Sequence, residues 1–173
     1  MDMTRILGLF FCLRLLAISQ AIADAPLTIS SPAFQNGLFI PGKYALHGGN
    51  AAPELHFSNV PAHAKSLVVI VDDPDSPTGL WTHWLVWNIP ASITSLNAGK
   101  LPPGAVQGKN SFGNLHYDGP APPKGMHRYF FRVYALDAPL SLPAGAIRAK
   151  LGAAMTGHVL GHAEFFGTYV EKI

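Results

Sequence analysis

Two short stretches of this 173-residue chain hold residue types that can do chemistry. The first, residues 69–90, reads VIVDDPDSPTGLWTHWLVWNIP and sets Asp72, Asp73 and Asp75 among Pro74, Ser76 and Pro77, with His83 downstream. The second, YDGPAPPKGMHRYFF, carries Gly119 and Pro120 and then His127, Arg128 and Tyr129. An aspartate at a strand end accepts hydrogen bonds from nearby backbone N–H groups. Each proline fixes φ and removes a donor, which stiffens the turn. An imidazole can donate to a phosphate or carboxylate oxygen and gain charge as it does so. Strand alternation puts His127 and Tyr129 on one face and Arg128 on the other, where its guanidinium fork can hold a loop or a carboxylate. Gly119 and Pro120 either bring backbone close to a ligand or simply form a turn. Plainer readings remain open: a self-satisfied turn at residues 72–77, a hydrogen-bonded core-edge His83, and solvated loop lysines at Lys109 and Lys124. The expectation is that the two stretches build one small polar pocket.

Other chemistries lack their residues. There is no HExxH or close His/Asp ligand cluster for a metal, and three acids within four residues are not an EF-hand loop. No GxSxG elbow and no phosphate-binding glycine-rich loop occurs. An Asp/His pair could assist proton transfer, but spacing alone places no nucleophile beside it. Asp73 and Asp75 as a glycosidase pair have no supporting fold signal.

The elements that must position these residues read as strands. Residues 26–31 form a short entering strand and 36–44 a weak one broken by Pro41-Gly42. Residues 55–58 alternate apolar and polar, as a half-buried strand does. The continuous aliphatic run 67–71 and the largely apolar runs 85–89 and 129–136 read as core strands. Residues 91–109 and 109–125 have little periodicity and read as long connections of the kind that shape binding sites. In AIRAKLGAAM, Ile147, Leu151 and Met155 recur at four-residue intervals, which predicts a helix. A closing strand follows over 163–170. With 17 Gly and 15 Pro, the pattern is one β-rich domain with a late helix.

Composition narrows the partners. The formal net charge is +2 with no basic block, so no nucleic-acid partner is expected. Arg5, the apolar run 6–18 and Ala21-Ile22-Ala23 form a secretory-leader pattern. The expected boundaries are a leader at 1–23 and a domain at 24–173, exported to a bacterial periplasm or the exterior. Cys12 is the single cysteine and lies in the leader, so the mature chain would have neither disulfide nor thiolate chemistry.

Taken together, Asp73-Pro74-Asp75-Ser76-Pro77, Trp81-Thr82-His83-Trp84, Gly119-Pro120 and His127-Arg128-Tyr129 resemble the signatures of the phosphatidylethanolamine-binding protein family. Gly157-His158-Val159-Leu160 and Phe166-Gly167-Thr168-Tyr169 resemble the ending of its bacterial Raf-kinase-inhibitor-like branch. The resemblance spans roughly residues 29–169. It implies an antiparallel β-sandwich with peripheral and C-terminal helices. It also implies a small anion pocket lined by Asp73, His83, His127 and Tyr129, with Pro77, Gly119 and Pro120 at its rim. Asp75 and Arg128 would support the walls. Ala121 stands where many bacterial members carry cysteine, and His116 either joins the pocket or covers its mouth. The expected function is binding of a small phosphorylated or carboxylated ligand without turnover, with no cofactor, no metal and no assigned catalytic residue. Two alternatives are an interaction module that inhibits a protease or kinase, and a weak hydrolase. A protein partner and a homodimer both remain open.

Overall fold

The structure is a computed structural model that describes residues 25–97 and 99–171. The expected leader and Cys12 lie outside the described residues. Eight strands and one α-helix follow in order: β1 (Thr28–Ser30), β2 (Leu55–Ser58), β3 (Ser66–Asp73), β4 (Trp81–Pro90), β5 (Ser95–Leu96), β6 (Val106–Gln107), β7 (Met126–Leu136), α1 (Arg148–Met155) and β8 (Val159–Val170). They build a three-stranded sheet, β1-β2-β5, and a five-stranded sheet, β6-β4-β3-β7-β8, with every strand pairing antiparallel. The expected β-sandwich is therefore what the chain forms.

The apolar runs explain the layering. All eight residues of β3 are buried because both faces of the large sheet are covered. Leu67, Val69, Val71, Trp84, Val86, Phe131 and Val133 pack with Ile29, Leu55, Phe57 and Leu96 of the small sheet. Val68, Ile70, Leu85 and Trp87, on the opposite face, pack with Leu151 and Met155 of α1. A carboxylate on that second face has to be paired. Asp72 is fully buried; its Oδ1 accepts the Thr82 hydroxyl at 2.8 Å and its Oδ2 accepts Arg148 Nε at 3.2 Å and Arg132 Nη1 at 3.3 Å.

Three expectations need correction. Residues 36–44 are a turn, one bridge from Phe39 to Thr168, and a 3-10 turn at Gly42–Tyr44, because Pro41 has no N–H to continue a ladder. The first long connection holds the two-residue strands β5 and β6, too short to leave a period in the sequence. The core strands also run further than their apolar cores, so that Asp72 and Asp73 end β3 while His83 lies inside β4.

A β-bulge in β4 aims His83. Val71 pairs with Trp84 and Asp72 pairs with Thr82, so His83 is the extra residue. In a bulge the inserted residue breaks the alternation of side chains. His83 thus shares the inter-sheet side with Trp84, while Thr82 turns to Asp72 beneath α1.

Candidate functional site

At the ends of β3, β4 and β7 a cavity of about 250 Å³ opens, lined by Asp73, Ser76, Pro77, Thr78, Trp81, His83, Phe112, Ala121 and Pro123. That volume is just under the usual drug-sized range and suits a headgroup-sized ligand. Its floor is polar and its walls are largely aromatic and proline. Trp81 and His83 each meet the Phe112 ring edge-on, at centroid distances of 5.3 and 5.4 Å.

His83 is only 2% exposed. Its Nδ1 lies 2.7 Å from the Asp118 carbonyl oxygen. A carbonyl can only accept, so Nδ1 carries the hydrogen and Nε2 of the neutral ring holds a lone pair. Nε2 is buried and has no hydrogen-bond partner. Burial pushes the His83 pKa down, against the Asp118 and Gly119 backbone and the charges of Asp73 and Asp72, which favour the imidazolium.

Asp73 lies beside it, with Oδ1 accepting the Asp75 N–H at 2.8 Å and Oδ2 accepting His127 Nδ1 at 2.7 Å. The two stretches singled out in the sequence therefore meet through this Asp–His pair. Tyr129 packs edge-on to His83 at 5.1 Å, and its buried hydroxyl has no hydrogen-bond partner. Burial and the Asp73 charge raise the Tyr129 pKa, so the hydroxyl keeps its proton. The Ala121 backbone opposes that shift without meeting hydrogen-bond geometry.

Not every expected residue lines the cavity. Asp73, Pro77 and His83 do, whereas His127 reaches it through Asp73. Gly119 and Pro120 stand behind the wall: the Gly119 N–H donates to Asn50 Oδ1 at 2.8 Å and the Pro120 carbonyl accepts the Leu46 N–H at 3.0 Å. His116 lies 3.4 Å from Asp118 and is mostly exposed, away from the lining.

Asp75 and Arg128 clamp the outside of the turn. Arg128 donates through its backbone N–H and Nε at 2.9 Å and through Nη2 at 2.7 Å. The Arg128 side-chain hydrogen bond holds the Asp75 pKa down to about 2, with burial opposing and the Arg128 backbone and charge assisting. A depressed carboxyl pKa stabilises the fold above the ordinary carboxylate range, and that contribution is lost as pH falls through the folded value. The stability difference between wild type and Asp75→Asn is therefore expected to shrink from about pH 4 to about pH 2 in a urea series. A difference constant over that window would contradict the pairing.

Sequence reasoning passed over Trp81 and Phe112 as wall residues, and Asp118 as the group that orients His83. Asp118 is itself held by Nδ2 of Asn110 at 2.7 Å, Asn114 at 2.9 Å and Asn50 at 3.1 Å. Burial pushes its pKa up, but these amides outweigh it and leave the carboxyl below its ordinary value.

The family model for phosphatidylethanolamine-binding proteins matches residues 30–170, most of the chain. The chain belongs to the phosphatidylethanolamine-binding protein family. A UPF0098 protein of Methanothermobacter thermautotrophicus is 48% identical over 148 residues, covering 83% of this chain and 98% of the relative. One from Chlamydia trachomatis is 45% identical over 146 residues, covering 82% and 97%. Among solved structures, a putative phosphatidylethanolamine-binding protein homologue from Chlamydia trachomatis has a TM-score of 0.81 at 43% identity, covering 85% of this chain and 99% of that one. Escherichia coli YbcL, described as a new member of the mammalian family, has a TM-score of 0.80 at 35% identity, covering 86% and 100%. The bacterial and archaeal relatives fit the expected branch of the phosphatidylethanolamine-binding protein family.

Proposed function

We propose that this protein binds a small phosphorylated or carboxylated ligand in the cavity between Asp73 and His83 and releases it unchanged. The observation that carries this reading is the orphan Nε2 of His83, buried in the cavity wall while Nδ1 is fixed on Asp118. A buried polar atom without a partner costs about 1–3 kcal/mol, which a guest that bonds to it recovers. The Asp73–His127 pair supplies a second polar group at the same floor, and Phe112 and Trp81 give the cavity an aromatic wall. The two hydroxyls in the lining, Ser76 and Thr78, hydrogen-bond each other at 3.0 Å, which favours a binding site over nucleophilic chemistry.

Titration calorimetry with inorganic phosphate and O-phosphoethanolamine tests the reading. Saturable binding is expected for the wild type, weakened at least roughly tenfold by His83→Ala, which removes the receiving nitrogen, and by His127→Ala, which leaves Asp73 Oδ2 without its imidazole partner. Identical, non-saturable heats for all three proteins would refute it. A protein partner whose capture survives both substitutions would instead favour the interaction-module reading.

A further inference from the structure

We infer that the pocket takes its ligand together with a proton: an oxyanion able to carry a hydrogen, such as a phosphate, is accepted, and one that cannot, such as sulfate, is refused. This rests on the binding reading above and specifies what the guest must bring. Of the polar groups that line the cavity, His83 Nε2 and Asp73 are acceptors, and the Ser76 and Thr78 hydroxyls hydrogen-bond each other. The Asp118 carbonyl fixes the hydrogen of His83 on Nδ1, so Nε2 offers a lone pair. Asp73 offers carboxylate oxygens whose present partners, the Asp75 N–H and His127 Nδ1, come from behind the lining.

A fully ionised oxyanion brings only further acceptors. Set against Nε2 and Asp73 it gains no hydrogen bond there and meets like charge. One proton removes the conflict, whether written on the ligand oxygen that donates to Nε2 or on Nε2 that donates to the ligand. The two forms contain the same atoms, and the proton is drawn from solvent when the free ligand is fully ionised. Every element packed against His83 bears on where that proton can come from. Asp73 and Asp72 on β3 favour a charged ring, as does the Asp118–Gly119 backbone; the neutral Tyr129 hydroxyl on β7 and the Phe112 ring add no charge. Burial outweighs these charges and hydrogen bonds, so the empty pocket does not hold the proton in advance.

The discriminating experiment uses the full folded domain and two tetrahedral anions of similar size. Calorimetric titrations at about pH 8, in two buffers of different protonation heat, count the protons exchanged. Phosphate at that pH is mostly the hydrogen phosphate dianion and already carries the hydrogen, so it is expected to bind with little further uptake, whereas O-phosphoethanolamine, whose phosphate is fully ionised there, is expected to bind with uptake of about one proton. Sulfate, which carries no proton in this range, is expected to bind at least roughly tenfold more weakly and to gain affinity as pH falls. His83→Gln supplies an amide that donates without titrating, and it should bind O-phosphoethanolamine with the proton uptake abolished and the discrimination between phosphate and sulfate reduced. The wild-type comparison stands even if that variant does not fold. O-phosphoethanolamine binding with no proton uptake, with sulfate bound as tightly as phosphate, would overturn the proton requirement and leave the binding reading intact. Failure of both anions to bind would overturn both.

Discussion

Asp118→Asn, although it preserves shape, is expected to cost about 2–4 kcal/mol of stability and to weaken phosphate binding. The side chain sits where three amide donors converge. Asn110 and Asn114 point at Oδ2 and Asn50 at Oδ1. An asparagine in that place must aim an NH₂ group at donors on one side or the other. Two of the partners, Asn50 and Asn110, cannot flip to accommodate it. The Asn50 carbonyl oxygen already accepts the Gly119 N–H at 2.8 Å, and that of Asn110 accepts the N–H groups of Phe112 at 3.0 Å and Asn114 at 2.9 Å. Hydrogen bonds to a charged acceptor contribute more than neutral ones, and a buried donor left unpaired adds its desolvation penalty. The Asp118 backbone also fixes His83 and Asn110 sets the turn that carries Phe112, so the damage reaches the cavity. Urea denaturation of the two proteins reads the stability change directly. A loss below about 1 kcal/mol would mean that the three amides contribute little.

Gly119→Ala is expected to destabilise by about 3 kcal/mol through a steric clash. A Cβ at this position would lie 2.0 Å from the Tyr44 carbonyl oxygen and 2.9 Å from the Ala45 Cα. Both are backbone atoms, so no side-chain rotation relieves the contact, and Ala45 is fully buried. Relief requires moving the 43–46 segment, which also carries the Leu46 N–H bonded to Pro120. Gly42→Ala is the control: its Cβ would meet nothing within 4 Å, and a change within about 0.5 kcal/mol is expected. Thermal melts of the two variants separate packing at Gly119 from a general effect of replacing glycine near this turn. Equal shifts would contradict the assignment.

The legible part of the fold was the part governed by continuous burial. β3 and β4 announce themselves because strands covered on both faces must be apolar along most of their length, whereas β7 alternates buried with half-buried or exposed residues. Alternation also placed His127 and Tyr129 together and sent Arg128 to the other face, where it pairs with Asp75. The same rule fails for His83. Counting back from Trp84 would turn the imidazole towards α1, and only the bulge between the Val71–Trp84 and Asp72–Thr82 pairs returns it to the pocket. No residue type marks that bulge, since it depends on how two strands register across their whole length. Asp118 was hidden for a related reason. Its partners Asn50, Asn110 and Asn114 come from two separate loops, and an asparagine in a loop reads equally well as a turn residue. Phe112 carries no periodic signal, yet the Asn110 side chain sets the turn that brings it over Trp81 and His83. Of the acids at the end of β3, Asp73 alone reaches the pocket, while Asp72 is neutralised beneath α1 and Asp75 is clamped outside.

The central claim is that Nε2 of His83 is the atom that receives the ligand. Nitrogen NMR of the histidine rings during a phosphate titration reads that atom directly, with His83→Gln used to assign the signal. The account predicts that in the free protein Nε2 resonates as an unprotonated ring nitrogen with the hydrogen on Nδ1, and that phosphate moves it saturably towards the hydrogen-bonded or protonated position while Nδ1 stays bonded to Asp118. A His83 Nε2 signal unmoved at phosphate concentrations that saturate the calorimetric titration would contradict it.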